Sequence, residues 1–143
     1  MPQRMSRERA YEFLAEGTRT GKLATTRPDG RPHVAPIWFV LDGDDLVFNT
    51  GAETVKGRSL RRDARAALTV DLEEPPYAFV TVEGTVTIED EPAQMLPYSI
   101  EIGRRYMGDE RGEEFGRRNA VEGELLIRLH PTRFVGFDDM AGH

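Results

Sequence analysis

The stretch DLVFNTGAETVKGRSLRRDARAALTVD, residues 45–71, contains the main structural transitions of this chain. Residues 45–49 have strand character, residues 53–63 read as a helix, and residues 66–72 have strand character again. Small residues at 50–52 separate the first strand from the helix. The stretch therefore predicts a strand that ends in a short turn, a helix that begins directly after it, and a return to the sheet.

The residues upstream of this stretch add a helix and two strands. Residues 6–16 predict a short helix with Ser6 as its N-cap. Strands at residues 22–27 and 33–41, together with the strand at 45–49, predict an antiparallel meander. Pro36 interrupts the second strand, and because proline has no N–H to donate, this strand lies at a sheet edge or is bulged there.

The downstream residues extend the sheet. Residues 78–89 form a long alternating strand, and Gly84 within it predicts a bulge or a sharp bend. The segment 108–120 is polar and glycine-rich, which is typical of a loop with a short helix or of a mobile segment. The remaining predicted elements are a helix at 92–107 and strands at 124–129 and 133–137.

About seven strands and three or four short helices favour a mainly β (α+β) fold. The absence of βαβ alternation argues against a doubly wound parallel sheet. A small antiparallel barrel with peripheral helices fits the pattern of elements. The length of 143 residues suits a single domain spanning 1–143.

Composition excludes several classes of function. The chain has no cysteine, which removes disulfides and thiolate metal sites, and its formal charge of −6 argues against nucleic-acid binding. His33, His130 and His143 lack the spacing of a metal-binding pair, so no metal is expected. The sequence has neither a membrane-spanning apolar run nor a secretory signal, which predicts a cytoplasmic protein without membrane contact.

The junction at residues 48–58, FNTGAETVKGR, is the first candidate site. A helix start exposes unpaired N–H groups and a positive dipole end, both of which favour an anion. Thr54 adds a hydroxyl, and Lys56 and Arg58 add cations, a set that would satisfy a phosphate ester. In a regular helix Lys56 and Arg58 point to nearly opposite sides. The alternative is an ordinary capped helix with solvated charges.

The second candidate site is Pro36-Ile37-Trp38. The proline frees neighbouring backbone groups to hydrogen-bond a planar heterocycle, and Trp38, the only tryptophan, could stack on a ring. The alternative is that Trp38 packs in the core.

These residues resemble the flavin/deazaflavin split β-barrel group, the pyridoxamine-phosphate-oxidase-like superfamily. The pattern F-x-T-x-x-x-T-x-K-x-x-x-L is similar to the phosphate-binding segment of that group. The pattern KxR-x-L-RRD-x-R before a strand is closer to its coenzyme F420-dependent branch. The resemblance covers roughly residues 18–137. The first pattern is filled by Phe48, Thr50, Thr54, Lys56 and Leu60, and the second by Lys56, Arg58, Leu60, Arg61, Arg62, Asp63 and Arg65.

The resemblance implies a six- or seven-stranded split barrel that acts as a homodimer, with the cofactor in a groove at the dimer interface. Thr54, Lys56 and Arg58 would hold the phosphate of the cofactor. The residues expected to line its ribityl chain are Phe48, Asn49 and Thr50, and those whose backbone would flank its ring are Pro36, Ile37 and Trp38.

The function implied is that of an F420-dependent oxidoreductase, which transfers a hydride from the reduced deazaflavin to a small unsaturated organic acceptor. The cofactor carries such chemistry, so no catalytic side chain is assigned. Two alternatives stay open: an FMN-binding oxidoreductase of the same fold, and a non-catalytic protein that binds a cofactor or a tetrapyrrole-like ligand. The arginines beyond Lys56 favour F420, whose tail is longer and more acidic than that of FMN.

Overall fold

The computed structural model describes residues 1–142, so His143 lies outside the described residues. Within them the chain forms eight strands and four helices. In chain order these are β1 (Gln3–Arg4), α1 (Arg7–Ala15), β2 (Gly21–Thr26), β3 (Pro32–Ile37), β4 (Val40–Asp42), β5 (Asp45–Gly51), α2 (Val55–Arg62), β6 (Arg65–Leu72), β7 (Ala78–Glu89), α3 (Pro92–Met107), α4 (Asp109–Asn119) and β8 (Glu124–Asp138).

All strand pairs are antiparallel, in the order β3-β2-β6-β7-β8-β5-β4, and β1 pairs with β8. Strands β3 and β4 stand at opposite ends of this path, yet only Trp38 and Phe39 separate them in sequence. An extended chain of this length spans no more than about 11 Å. The sheet must therefore curl until its two edges come close together, which makes a barrel with a split between β3 and β4.

The predicted mainly β, α+β fold is confirmed, but the meander is wrong. The single strand expected at 33–41 is two strands on opposite edges of the sheet. The break falls at Trp38-Phe39, because Phe39 is fully buried and its backbone N–H and C=O bond side chains of α3. Pro36 lies in β3, which is an edge strand, as the missing N–H requires.

At the C-terminus the structure has one strand where the sequence predicts two. The strands expected at 124–129 and 133–137 are one strand, β8. Pro131 is accommodated opposite Gly84, where the register between β7 and β8 shifts. A Cβ on Gly84 would lie 2.1 Å from the carbonyl oxygen of His130, so the two backbones approach as only glycine allows. The bulge predicted at Gly84 is therefore confirmed.

The segment 108–120 is almost entirely helical, which extends the short helix expected there. Residues Asp109–Asn119 form α4, which packs against α3 through three glycines. A Cβ on Gly116 would lie 2.5 Å from Cγ1 of Ile100, and one on Gly103 would lie 2.8 Å from the Gly112 carbonyl oxygen. The glycines that made this segment look irregular are what allows the two helices to pack so closely.

The barrel interior holds the main hydrophobic core, formed by alternate residues of the strands and by one face of α1. Its largest fully buried side chains include Phe13, Phe39, Phe48, Leu23, Leu68 and Ile127. Helix α1 begins at its predicted N-cap, since the Ser6 side chain accepts a hydrogen bond from the Arg9 N–H. Outside this core, a cavity lies between two parts of the molecule: the end of the barrel where β5 meets α2, and the α3–α4 hairpin.

Candidate functional site

Residues Trp38 and Phe39 connect β3 to β4 across the split of the barrel, and we call this segment the crossing. A cavity of about 450 Å³ lies between the β5–α2 junction, the crossing and the α3–α4 hairpin. Seven of the nine residues singled out from the sequence line it: Pro36, Ile37, Trp38, Asn49, Thr50, Thr54 and Lys56. The other lining residues are Thr20, Gly51, Ile102, Phe115, Asn119 and Glu124. We call the part formed by Thr50, Gly51, Thr54, Lys56 and Glu124 the anion end, and the part formed by Ile37, Trp38, Ile102 and Phe115 the aromatic end.

The anion end is built where β5 runs into α2. Thr54 is the N-cap of the helix, and its hydroxyl accepts a hydrogen bond from the Gly57 N–H at 3.1 Å. The same hydroxyl donates to the Gly51 carbonyl at 2.7 Å and lies 3.1 Å from the Thr50 hydroxyl. The capped-helix alternative thus describes Thr54 correctly, and its hydroxyl hydrogen is already committed to Gly51.

Lys56 supplies the cation of the anion end. Its side chain is half-buried and forms no hydrogen bond or ion pair with any residue from 1 to 142. The N–H groups of Val55 and Lys56 occupy the first two positions of α2 and have no acceptor within the helix. An ammonium group and two N–H groups are therefore available for an anion, even with the Thr54 hydroxyl engaged.

Gly57 explains how the helix start is held so close to the end of β5. A Cβ at this position would lie 2.2 Å from the Gly51 carbonyl oxygen and 3.1 Å from that of Ala52. The first turn of α2 therefore packs directly on the backbone that leaves β5. Any larger residue would force either the helix start or the end of the strand to move.

Phe48 and Arg58 do not line the cavity. Phe48 is fully buried in the barrel core, on the side of β5 that the alternation of the strand directs inward. Arg58 is two-thirds exposed and pairs with Glu53 at 2.7 Å. It lies two residues after Lys56, so the helix turns it to the other side, as the spacing indicates. The two arginines that follow it, Arg61 and Arg62, also lie outside the lining.

The aromatic end is built around the crossing from β3 to β4. The Trp38 ring stacks on the Tyr106 ring at 4.9 Å between centroids and 2° between planes, and it lies 5.2 Å from the Phe115 ring. Trp38 is half-buried, so it both packs against the hairpin and faces the cavity. Trp38 thus packs on the hairpin outside the barrel core, and its stacking on a ligand ring stays a prediction.

Two side chains of α3 fix the crossing by its backbone. The Arg105 guanidinium donates to the carbonyls of Phe39 at 2.7 Å, Leu14 at 2.8 Å and Gly17 at 3.0 Å, which ties the end of α1 to the crossing. Burial without a carboxylate partner lowers the pKa of Arg105.

Tyr106 holds the same segment from the other side. The Tyr106 hydroxyl donates to the Arg19 carbonyl at 2.9 Å and accepts from the Phe39 N–H at 3.3 Å, and burial raises the pKa of Tyr106. The hydroxyl is occupied in both directions, so it acts in positioning the crossing.

Sequence reasoning missed the contribution of the α3–α4 hairpin. Ile102, Phe115 and Asn119 reach the cavity because α4 folds back on α3 at close range. The hairpin is tied to the sheet by Ser99, which is fully buried and donates to the Asn49 carboxamide oxygen at 2.8 Å. The glycine spacing at 103, 112 and 116 was the available signal for this packing.

Glu124 is the other residue that the sequence did not bring forward. It is the first residue of β8, pairs in register with Gly51, and is half-buried at the anion end. Burial raises the pKa of the Glu124 carboxyl, and the positive charge of Lys56 acts in the opposite direction. The anion end thus carries one cation and one carboxylate.

Taken together, the cavity suits an elongated molecule with an anionic group at one end and a flat apolar ring at the other. The unpartnered Lys56 ammonium fits a phosphate, and the Trp38 and Phe115 rings fit a planar heterocycle. No cluster of three or more His, Cys, Asp or Glu side chains within residues 1–142 is suited to hold a metal ion. None of the helices in that range is long and apolar enough to cross a membrane.

Comparison with known proteins identifies a family model and several solved structures that this chain resembles. The family model described as Pyridoxamine 5′-phosphate oxidase matches residues 7–134. A conserved hypothetical protein of Mycobacterium tuberculosis is similar at 26% identity, over 96% of this chain and 87% of its own, with a TM-score of 0.82. A structure described as an F420 reductase is 29% identical over 86% of this chain and 94% of its own, with a TM-score of 0.68.

A third similar structure is the heme storage protein HutZ of Vibrio cholerae. It is 17% identical over 97% of this chain and 100% of its own, with a TM-score of 0.74. At this identity the likeness concerns the fold alone. The split-barrel fold implied by the sequence resemblance is confirmed by these comparisons.

Proposed function

Because the chain belongs to the pyridoxamine 5′-phosphate oxidase family, we propose that it is an oxidoreductase that binds a flavin-type cofactor in the cavity described above. The observation that carries the proposal is that one cavity is lined both by Lys56, which has no hydrogen-bond partner and lies at a helix start, and by the Trp38 and Phe115 rings. The cofactor phosphate lies at the anion end, and the ring lies toward the aromatic end.

The cofactor that we propose is coenzyme F420. Its support is the likeness to an F420 reductase, which at 29% identity extends over most of both chains. When bound, the reduced deazaflavin supplies the hydride that a small unsaturated organic acceptor receives. The residues of this chain bind the phosphate, orient the ring against Pro36, Ile37 and Trp38, and exclude water from the aromatic end.

FMN is the second candidate, and the charge of the lining favours it. Lys56 is the only cation among the described residues that line the cavity, whereas Arg58 pairs with Glu53. One lysine and a helix start suit a single terminal phosphate. The longer acidic tail of F420 would need cations elsewhere, either at the surface or on a second copy of the chain.

The proposed assembly is a homodimer with the cofactor between the two copies. Strand β3, whose Pro36 and Ile37 line the cavity, is an edge strand, and Val34 on it is 64% exposed. An exposed apolar edge next to an open cavity is a surface that a second copy would cover. Analytical ultracentrifugation of the purified chain measures whether it is a monomer or a dimer in solution.

The experiment that separates the candidates is a cofactor titration. The purified protein is examined by absorption spectroscopy and then titrated with F420, FMN and heme. Tight binding of F420 with turnover of an unsaturated acceptor supports the first proposal, and binding of FMN alone supports the second. Binding of heme without any flavin or deazaflavin would contradict both and favour the non-catalytic alternative.

The site itself is tested by Lys56→Ala with Arg58→Ala as the matched control. Removing the ammonium should weaken cofactor binding by about 1.5–3 kcal/mol, the range for a hydrogen bond to a charged group. Arg58 is exposed and paired outside the cavity, so its removal should leave the dissociation constant within about twofold, as expected for an exposed pair. Equal effects of the two substitutions would reject the phosphate assignment.

A further inference from the structure

Glu124 lines the cavity at the anion end, beside the place proposed for the ligand phosphate. It stands opposite Gly51 at the start of β8, and a Cβ on Gly51 would lie 3.2 Å from the Glu124 Oε2 atom and 3.2 Å from Cγ2 of Thr54. The carboxylate therefore rests against the strand end from which α2 begins. It shares the cavity wall with Lys56.

The Glu124 carboxylate has no hydrogen-bond donor of its own. Within residues 1–142 it makes neither a hydrogen bond nor an ion pair, although it is half-buried. Burying a carboxylate without donors is unfavourable, and burial accordingly raises the pKa of this group. A ligand that offers a donor at this point would remove that penalty.

The other side of Glu124 does not supply a donor either. It faces a second cavity of about 370 Å³, whose lining includes Asp90, Glu91 and Glu122 and, as its only cation among the described residues, Arg61. Carboxylates outnumber cations on that side, so a second anionic group of a ligand would be repelled there. What the position suits is a hydrogen-bond donor without negative charge, such as a hydroxyl.

We propose that Glu124 is a specificity-determining residue that accepts a hydrogen bond from a ligand hydroxyl next to the phosphate that Lys56 binds. The inference rests on the proposed function and deepens it, because flavin-type cofactors carry a hydroxylated chain between ring and phosphate. Lys56 would then recognise the phosphate, and Glu124 would require that a polyol chain be attached to it.

The test compares two ligand features that should respond to Glu124 with opposite signs. In Glu124→Gln a neutral acceptor replaces a charged one, so binding of FMN or F420, whichever the protein takes, should weaken about fivefold. Sulfate has no hydroxyl to donate and is repelled by the carboxylate, so its binding should become about threefold tighter in the same variant. Both constants are measured by calorimetry at mildly alkaline pH, because burial raises the pKa of the Glu124 carboxyl.

The controls separate this role from a structural one and from failure of the proposed function. Glu122→Gln removes an exposed carboxylate two residues away and should leave both constants unchanged. With the 4′-deoxy analogue of the cofactor that the protein takes, which lacks the hydroxyl next to the phosphate-bearing carbon, the fivefold loss should disappear. An effect of Glu124→Gln with the same sign on that cofactor and on sulfate, or none on the cofactor, overturns the inference. A wild-type protein that binds neither flavin nor deazaflavin overturns the proposed function instead.

Discussion

The two ends of the cavity are made in different ways. Apart from Glu124, which belongs to β8, the anion end comes from one continuous stretch, in which Thr50, Gly51, Thr54 and Gly57 are connected by hydrogen bonds between residues three or four apart. The aromatic end joins Trp38 and Phe115, which are far apart in sequence and meet only because α3 and α4 fold over the crossing.

This difference determines what holds each end in place. At the anion end the geometry is set by backbone packed on backbone, with Gly57 against the Gly51 carbonyl. At the aromatic end it is set by long side chains, with Arg105 and Tyr106 bonded to the backbone of Phe39. Backbone packing has no freedom to adjust, whereas a lost side-chain bond can be compensated in part.

The largest effect should come from breaking the anion end with Gly57→Ala. The new Cβ would lie 2.2 Å from the Gly51 carbonyl oxygen, so either the helix start or the strand end must move. We expect the free energy of unfolding to fall by about 3 kcal/mol, which is the upper end of the range for overpacked cores, and cofactor binding to be lost. In Gly51→Ala the nearest side-chain atoms lie at 3.2 Å and can shift, so urea unfolding should show a smaller loss. Equal losses would contradict the close-packing account.

The next effect should come from breaking the aromatic end with Arg105→Met. The substitution keeps much of the apolar stem but leaves the carbonyls of Phe39, Leu14 and Gly17 without their donor. A loss of about 2 kcal/mol is expected, since bonds to a charged donor contribute about 1.5–3 kcal/mol. Trp38 is the only tryptophan, so its fluorescence should report the altered crossing.

The matched control for this substitution is Arg104→Met, one residue earlier in α3. Arg104 is exposed and pairs only with Glu101 on its own helix, so its removal should change the stability by less than about 0.5 kcal/mol. An Arg105→Met protein with unchanged Trp38 fluorescence and stability would show that the crossing does not depend on this guanidinium.

The sequence predicted the anion end better than the aromatic end for the same physical reason. A helix start after a strand is a local event, and the contiguous pattern at 48–58 contains its cap, its turn and its lysine. The place of Trp38 depends on where β4 pairs, and short-range alternation carries no information on that pairing. The period of two in 33–41 predicts one strand, because short-range alternation does not mark a change of sheet edge.

Glycines gave both the best and the worst local signals. Gly84 correctly indicated a bulge, because it interrupts an otherwise regular strand. Gly112 and Gly116 suggested a flexible segment, because intrinsic helix propensity penalises glycine. Tertiary packing of α4 on α3 outweighs that propensity, and with it Phe115 and Asn119 reach the cavity.

A smaller effect should follow from removing the cap in Thr54→Ala. The Gly57 N–H and the Gly51 carbonyl both lose a partner, and such caps contribute about 1 kcal/mol. Thr54→Ser keeps the hydroxyl and should retain most of that stability in urea unfolding. If the hydroxyl served the phosphate and not the cap, Thr54→Ala would weaken cofactor binding without lowering the stability of the free protein.

The smallest expected effect is a difference in pH dependence between two carboxyls. Hydrogen bonds from Tyr98 and Arg128 lower the pKa of Asp42 below its ordinary 3.8. The stability that Asp42 provides is therefore complete above that ordinary value and is lost as pH falls through the lowered one. Asp42→Asn should remove this contribution at neutral pH and leave stability in strong acid unchanged.

The stability contribution of Glu124 should change with pH in the opposite direction. This difference would distinguish a carboxylate that serves ligand binding from one that stabilises the fold. Burial raises its pKa above the ordinary 4.5, so between these two values the folded protein holds more protons than the unfolded chain. Stability then falls as pH rises through that window, and Glu124→Gln should abolish the fall and be slightly more stable than the wild type at neutral pH. Urea unfolding of both variants across the acid range measures the two slopes. A Glu124→Gln protein that is less stable at neutral pH would mean that the carboxylate has a partner in the fold and does not wait for one from the ligand.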